Sequence, residues 1–379
     1  MTSGTGPRTA RSWPDLPEVA RDVLLEVLIH GTMPRAEIAT RLHLSRPTLT
    51  RATRTLVLSG LLVEGETQLR SSTGRPSEML HVRGESHHFL GVKLTADRLY
   101  AVVTDLTAKV VDTADQPLRS TDPADVVARI AEVAASFPNL TAIGVTLGGT
   151  VHDGVVTEAG FLRWVNVPLH DAVTAATALP TAVDNDVQAL TSAEHWFGAG
   201  AGLDSMALVT VGAGVGCGVI IDGKLVRGAH GLTPRISHIL IDPSGPQCGY
   251  GHRGCASSYL MTHVMLRQLD GDPTYEEAVG RALAGDPVAK RVFDDAGYAL
   301  GVLIATVANF LDPRKILLTG DGLPLFEVSE QRVVDGIRAS YEADPALIDL
   351  DVQPFDFGEW ARSGAALAIR ATLTGGLRP

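Results

Sequence analysis

Near the N-terminus the apolar positions recur at helical spacing. Between Pro17 and Ile29 they are Val19, Val23, Leu24, Val27 and Leu28, and Gly31 can end that helix. A second short helix is predicted after Pro34, with Ile38 and Leu42 four apart and facing inward. His43-Leu44-Ser45 then makes a tight turn in which Ser45 is a good N-cap, and a third helix runs to about Ser59, where Gly60 stops it. Its inner face is Leu49, Ala52 and Leu56; its outer face presents Arg46, Thr50, Arg51 and Arg54, with Thr48 beside them. Gly60–Glu64 reads as a first strand and Ser77–Val82 alternates as its return, with Arg70, Gly74, Arg75 and Pro76 in the turn between.

Beyond Phe89 the pattern changes to short apolar strands alternating with helices. Gly91–Leu94, Leu99–Val103 and Lys109–Asp112 read as three consecutive strands, followed by a helix over Ala124–Ala135 and a strand over Ala142–Thr146. A second series starts at Met206–Val211. This layout predicts α/β lobes around mixed sheets with a cleft between them.

Helix, turn, helix and hairpin, in that order, predict a winged helix-turn-helix over residues 15–84, after a disordered lead-in at 1–14. Charge sharpens this picture. From Gly31 to Arg83 there are eight arginines and four glutamates, a surplus of +4 in a chain of net charge −11, which leaves −15 for the rest. A basic head on an acidic body suits a protein that touches double-stranded DNA through the head alone. Arg46, Thr48, Thr50, Arg51 and Arg54 are then the candidates for the major groove, and Arg75 for the backbone or minor groove. The bland alternative is an arginine-rich helical domain that serves only dimerisation.

Composition removes other classes. No run approaches 18 consecutive apolar residues, so no membrane-spanning helix is expected. The first residues carry arginines without an apolar core, which makes a poor secretory signal. Three cysteines in 379 residues, Cys217, Cys248 and Cys255, point to a reducing cytoplasm rather than a disulfide framework.

The run Gly212–Gly218, followed by Val219–Ile221 and Asp222-Gly223, lacks the spacing of a dinucleotide fingerprint and is not followed by a helix. Two readings stay open, a glycine loop that lets backbone amides approach a ligand and a tightly twisted hairpin without one.

The ordered motifs resemble the ROK family (repressors, open reading frames and sugar kinases), in its repressor branch with an N-terminal winged helix. They are Gly74-Arg75-Pro76, Ile143–Thr146, Asp184–Val187 with Glu194-x-Trp196-Phe197-Gly198, and the Gly212–Gly218 run. Arg227-Gly228-x-His230-Gly231, Asp312-Pro313 before Ile316–Gly320, and Gly364-Ala365-Ala366 complete the series, which spans Ser12 to Gly375. The resemblance implies a two-lobed actin-like (ribonuclease-H-like) body over 88–379, with a lobe boundary near 198 and a C-terminal helix returning to the first lobe. It also implies that Asp186, after Asn185, falls at the general base of the sugar kinases. As a bland alternative, Asp186 is the N-cap of the helix that follows.

Departures from the family pattern carry their own expectations. The family's Asp-x-Gly-Gly-Thr phosphate loop is replaced by Lys93-Leu94-Thr95-Ala96-Asp97, so the chain is expected to bind no ATP and to be no enzyme. An ATP-dependent sugar kinase with a DNA-binding appendage is the enzymatic alternative. Arg235-Ile236-Ser237-His238 and Gly254-Cys255-Ala256-Ser257 each lose a hydroxyl-binding carboxylate of the family. Arg235 then favours an anionic effector such as a sugar phosphate, gripped with Asn185, Asp186 and His238. The alternatives are a neutral sugar, or a ligand-independent regulator in which Arg235 pairs with an acid. The family's zinc loop keeps His238, Cys248 and Cys255, while Tyr250 stands where the middle cysteine belongs. Zinc on three protein ligands, with His252 the nearest candidate to fill the gap, and two free thiols are both open. The resulting expectation is a cytoplasmic regulator, a repressor as the resemblance implies, acting as a homodimer or dimer of dimers on a palindrome.

Overall fold

The computed structural model describes residues 12–68, 77–229 and 232–376. The head opens with α1 (Glu18–His30), β1 (Met33–Pro34), α2 (Arg35–Arg41) and α3 (Arg46–Leu58), and continues with β2 (Leu62–Gln68) and β3 (Ser77–Val82). These three strands form an antiparallel sheet in the order β1-β3-β2. The sequence pattern locates α1 through α3 to within a residue or two at each end. Two other expectations, the lead-in up to residue 11 and the hairpin tip with Arg70, Gly74, Arg75 and Pro76, lie outside the described residues.

The body begins with β4 (His88–Leu94), β5 (Arg98–Asp105), β6 (Val110–Thr113) and β7 (Gln116–Pro117), then α4 (Pro123–Ser136) and β8 (Leu140–Leu147). A small antiparallel meander follows, β9 (Thr150–His152), β10 (Val155–Ala159) and β11 (Trp164–Val167), then α5 (Leu169–Thr177), β12 (Thr181–Asn185) and α6 (Asp186–Phe197). The main sheet runs β12-β8-β4-β5-β6, with β7 also on β5. Its β12/β8 and β8/β4 pairs are parallel and its hairpin pairs antiparallel.

The second part holds β13 (Met206–Val211), β14 (Val215–Ile221) and β15 (Lys224–Leu225), then α7 (Ala256–Leu260), α8 (Thr262–Leu266), α9 (Tyr275–Leu283) and α10 (Pro287–Leu311). It ends with β16 (Ile316–Thr319), α11 (Pro324–Ser340) and β17 (Leu350–Val352), and its sheet is ordered β15-β14-β13-β16-β17. The last helix, α12 (Phe357–Thr374), belongs to the first unit. That unit takes the chain to Gly202 and resumes at Phe357; the second is Leu203–Asp356.

Strand β4 explains how the first unit is layered. Side chains alternate along a strand, so Leu90, Val92 and Leu94 enter one core with Val126, Ile130 and Val133 of α4. Phe89, Gly91 and Lys93 face the other way, toward α12. There the helix backbone lies directly on the sheet. A Cβ on Gly91 would come 2.1 Å from the Ala361 carbonyl oxygen, and one on Gly144 would come 1.8 Å from that of Gly364. Only glycine permits this approach, which accounts for Gly144 and Gly364 in the motifs above. On this side the core is shared with the head. Leu24, Leu56 and Leu80 join one apolar cluster with Phe89, Ala365 and Ile369, and Trp196 and Phe197 pack against it.

Candidate functional site

The head presents a face of unengaged cations. Ser45 caps α3 by accepting from the Thr48 amide at 3.3 Å, with Pro47 in the first turn, so the helix starts sharply after His43, whose φ is +51°. Leu49, Ala52, Thr53 and Leu56 are buried, while Arg46, Thr50, Arg51 and Arg54 are exposed. Thr48 is half-buried, its hydroxyl 2.8 Å from that of Ser45, and Thr50 donates its own to the Arg46 carbonyl at 2.9 Å. The arginines divide into two kinds. Arg35 donates to Thr53 at 2.8 Å and is ion-paired with Glu64, tying α2 to α3 and β2; Arg41 is ion-paired with Glu26 of α1. Arg46, Arg51 and Arg54 make no side-chain hydrogen bond or ion pair among the described residues. Arg35 was not singled out from sequence, because its partners lie 18 and 29 residues away.

In the first body unit the structure brings together two residues that the sequence treated separately. Lys93 forms an ion pair with Asp186, and the two side chains are only 7% and 10% exposed. The Lys93 ammonium also lies 4.9 Å from the centroid of the Trp360 ring. The N-cap of α6 is Asn185, which corrects the assignment of that role to Asp186. Asn185 accepts from the Val187 and Gln188 amides at 3.0 and 3.2 Å and donates to the Gly149 carbonyl at 2.8 Å. Asp186 is the first helical residue and accepts from the Val187 amide with its other oxygen. Where the resemblance would place a phosphate loop, residues 94–99 make a tight hairpin turn. The Thr95 amide donates to the Arg98 carbonyl, and its hydroxyl donates to Asp97.

In the second unit, the glycine run is the turn and second strand of the β13–β14 hairpin, paired in register from Met206↔Ile220 to Val211↔Val215. Asp321 accepts from the Ala213 amide at 3.1 Å, so a carboxylate of the chain itself sits in this turn. Arg235 is exposed and makes no ion pair or side-chain hydrogen bond among the described residues. Ser257 is buried, and its hydroxyl donates to the Ser237 carbonyl at 2.8 Å. Asn185 and Asp186 thus belong to the first unit, and Arg235 and His238 to the second.

The cysteine–histidine loop supplies four donors, the three the family pattern keeps and His252, the nearest candidate for the gap. His238, Cys248, His252 and Cys255 place their ligand atoms within 4.8 Å of one another. The His238 Nδ1 lies 3.2 Å from that of His252, 3.5 Å from the Cys255 sulfur and 3.9 Å from the Cys248 sulfur. Ligands around a tetrahedral zinc stand about 3.3–3.8 Å apart, so the donor set fits that ion in kind and spacing. His252 arrives because a turn closes beneath it: the Cys248 amide donates to the His252 carbonyl at 2.8 Å, and the Gly251 amide to that of Cys248 at 3.0 Å. Tyr250 is 81% exposed and offers no ligand atom, its ring standing edge-on to that of His238 with centroids 5.1 Å apart.

Local electrostatics suit a metal. Burial holds His238 below the usual imidazole range, helped by His252 and Arg235, and a neutral ring is the form that ligates. Burial pushes the Cys248 thiol up, but the amides of Tyr250, His252 and Gly251 outweigh it and the net direction is down. The Cys255 thiol is raised, chiefly by burial. Cys217 is apart from this cluster, pushed up to about 12 by burial, and serves as core. Among the described residues no helix is long and apolar enough to cross a membrane.

Comparison with known proteins places these features. The family model described as the ROK family matches residues 89–342. The chain is 28% identical over 376 residues to the DNA-binding transcriptional repressor Mlc of Escherichia coli (strain K12), covering 92% of this chain and 91% of that protein. A crystal structure of a ROK family transcriptional regulator, a homologue of the E. coli Mlc protein, superimposes with a TM-score of 0.80 at 27% identity. The match covers 95% of this chain and 97% of that one. A ROK family glucokinase from Streptomyces griseus, solved with glucose and AMPPNP, matches with a TM-score of 0.63 at 26% identity over 75% of this chain and 99% of its own. Head, mixed α/β body and cysteine–histidine loop lie on one chain whose matched segment covers most of the body, and this protein belongs to the ROK family.

Proposed function

We propose that this chain is a transcriptional regulator of the repressor type, whose winged helix-turn-helix (residues 15–84) binds operator DNA and whose body (88–379) catalyses no phosphoryl transfer. The observation that carries the reading is the division among the head's arginines. Arg35 and Arg41 hold the head together, while Arg46, Arg51 and Arg54 project beside Thr50 from a well-capped helix, and their guanidinium groups have no partner among the described residues. A guanidinium left free on the outer face of such a helix can reach a guanine edge or a phosphate. Thr48 contributes chiefly to the cap, and Arg75 is assigned to the wing by sequence alone. A symmetric dimer would present two such helices to a palindrome.

The non-enzymatic reading is supported by the buried Lys93–Asp186 pair. A carboxylate in ion-paired contact with a lysine is a poor general base for a hydroxyl. A self-closed hairpin turn at Thr95–Asp97 leaves no glycine cradle for a phosphate. For the effector, Arg235, exposed and unpaired among the described residues, supports an anionic ligand such as a sugar phosphate. The Lys93–Asp186 pair supports a second reading, in which the regulator acts without a ligand. Zinc on His238, Cys248, His252 and Cys255 would cross-link the loop and stabilise it without entering any reaction.

The test begins with selection of duplexes from a random library by the full-length protein, followed by anisotropy titration of the selected duplex. Saturable binding that weakens steeply with salt supports the reading. Failure to enrich any duplex over several rounds sinks it. Melting of the same protein with sugars, sugar phosphates and ATP·Mg²⁺ separates the rest. A sugar-phosphate shift supports the effector, silence supports ligand-free regulation, and an ATP shift overturns the non-enzymatic reading.

A further inference from the structure

The two ends of α6 are fixed to quite different parts of the first unit. At its start stand the Asn185 cap and the Lys93–Asp186 pair. At its end Trp196 and Phe197, ring centroids 6.0 Å apart, pack on the apolar cluster that contains Leu24, Leu28 and Leu56 of the head. Twelve residues of α-helix span about 18 Å, and the interior is stiff because Asp186 through Ala193 are all buried.

The second half of the helix is also tied to α12. Arg370 donates to the Ser192 hydroxyl at 2.7 Å, and its guanidinium lies 5.9 Å from the centroid of the Trp196 ring. Arg362 reaches Glu194 at 3.7 Å, with both side chains largely buried. The other Glu194 oxygen accepts from the Ala199 amide at 3.0 Å, and a Cβ on Gly198 would stand 2.1 Å from it. The exit from α6 therefore turns sharply under a carboxylate, which is why glycine follows Phe197. The chain then runs past α1: a Cβ on Gly202 would lie 3.5 Å from the His30 ring.

We propose that α6 is a strut that transmits the state of the Lys93–Asp186 pair to the DNA-binding head, with Trp196 and Arg370 as the positioning residues of its joint. The pair, the helix, the joint and the head form one contiguous chain of buried contacts within a single unit. No loop intervenes in which a displacement would be absorbed. A change that releases Asp186 from Lys93 shifts the first turn of α6, and the stiff helix carries the shift to the ring pair under α1. This deepens the DNA-binding reading by supplying a route of regulation, and it rests on that reading only for its biological sense.

Amide hydrogen exchange on the full-length protein, without DNA, tests it. The doubly uncharged variant Lys93→Met/Asp186→Asn is compared with wild type, with α10 of the second unit as internal reference. The expected result is exchange about five-fold faster in α1 and residues 196–202, as well as near 93 and 186, with α10 unchanged. Acceleration confined to the surroundings of 93 and 186, or spread equally over α10, overturns the proposal. A second variant, Arg370→Met, leaves the pair intact and must accelerate the head without accelerating the first turn of α6. An unperturbed head in that variant also overturns it. Because no DNA enters the measurement, its failure is distinct from a failure of the head to bind a duplex.

Discussion

The outer face of α3 and the start of α6 both carry charges where chemistry or recognition is expected, and they use them in opposite ways. On α3 the cations are exposed and without partners among the described residues, available to a polyanion. At α6 the carboxylate is buried and already neutralised by a lysine from β4. An exposed, unpaired charge costs the fold little and remains free to bind. A buried pair is committed, since separating it exposes each member to desolvation without compensation. The same distinction runs within the head, where Arg35 and Arg41 are structural and their neighbours on α3 are not.

The comparison breaks most visibly at Lys93. Lys93→Ala strands Asp186 in a buried site and should cost about 3–5 kcal/mol in denaturant unfolding. Adding Asp186→Asn should recover most of that loss; a single mutant as stable as wild type would mean the pair is not committed at all. Next comes the joint core of head and body. Ile369, fully buried on α12 against head residues, should cost about 2–4 kcal/mol as Ile369→Ala. Head and sheet should lose stability together, seen as coincident transitions by exchange in α1 and β4.

On α3 the expectation reverses. Arg51→Ala or Arg54→Ala should leave the melting temperature within about 2 °C of wild type while weakening the selected duplex by about 1–3 kcal/mol per arginine that meets a base. An arginine that meets only phosphate should instead lower the slope of log affinity against log salt by about one. Arg35→Ala should do the opposite, lowering stability first. The smallest effect is expected in the metal loop. His252→Ala should reduce the zinc held after dialysis and weaken its affinity about tenfold or more, measured by competition with a chromophoric chelator. Unchanged occupancy would remove His252 from the ligand set.

Much of the head was legible because its signals are local. Ser45 before Pro47, the apolar face of Leu49, Ala52 and Leu56, and the glycines at 31 and 60 each act within one or two turns of the chain. The strands of the body were legible for the same reason, as short β-branched runs. The glycine run left two readings open, and the hairpin register with Asp321 against the Ala213 amide shows it as a paired turn whose amide is taken by the chain itself. The site residues were less legible. Lys93 looked like the lost aspartate of a phosphate loop, because nothing local indicates that it faces Asp186, 93 residues on. The zinc loop had one cysteine too few, because Tyr250 stands at the expected spacing; His252 was the nearest candidate for the gap, and the turn over Cys248–His252 brings it to the other three donors.

What the sequence determined by itself is the elements of the head and the first strands of each body series, the basic head on an acidic body, and the family whose motifs the chain carries. Periodicity, capping and composition act at short range, and a linear pattern records them directly. What only the tertiary structure decided is which charges are free and which are engaged, and that α6 and α12 carry one apolar core from the body into the head. Those outcomes depend on side chains meeting across tens to hundreds of residues. Burial then sets whether a charge is retained for a partner or neutralised within the fold.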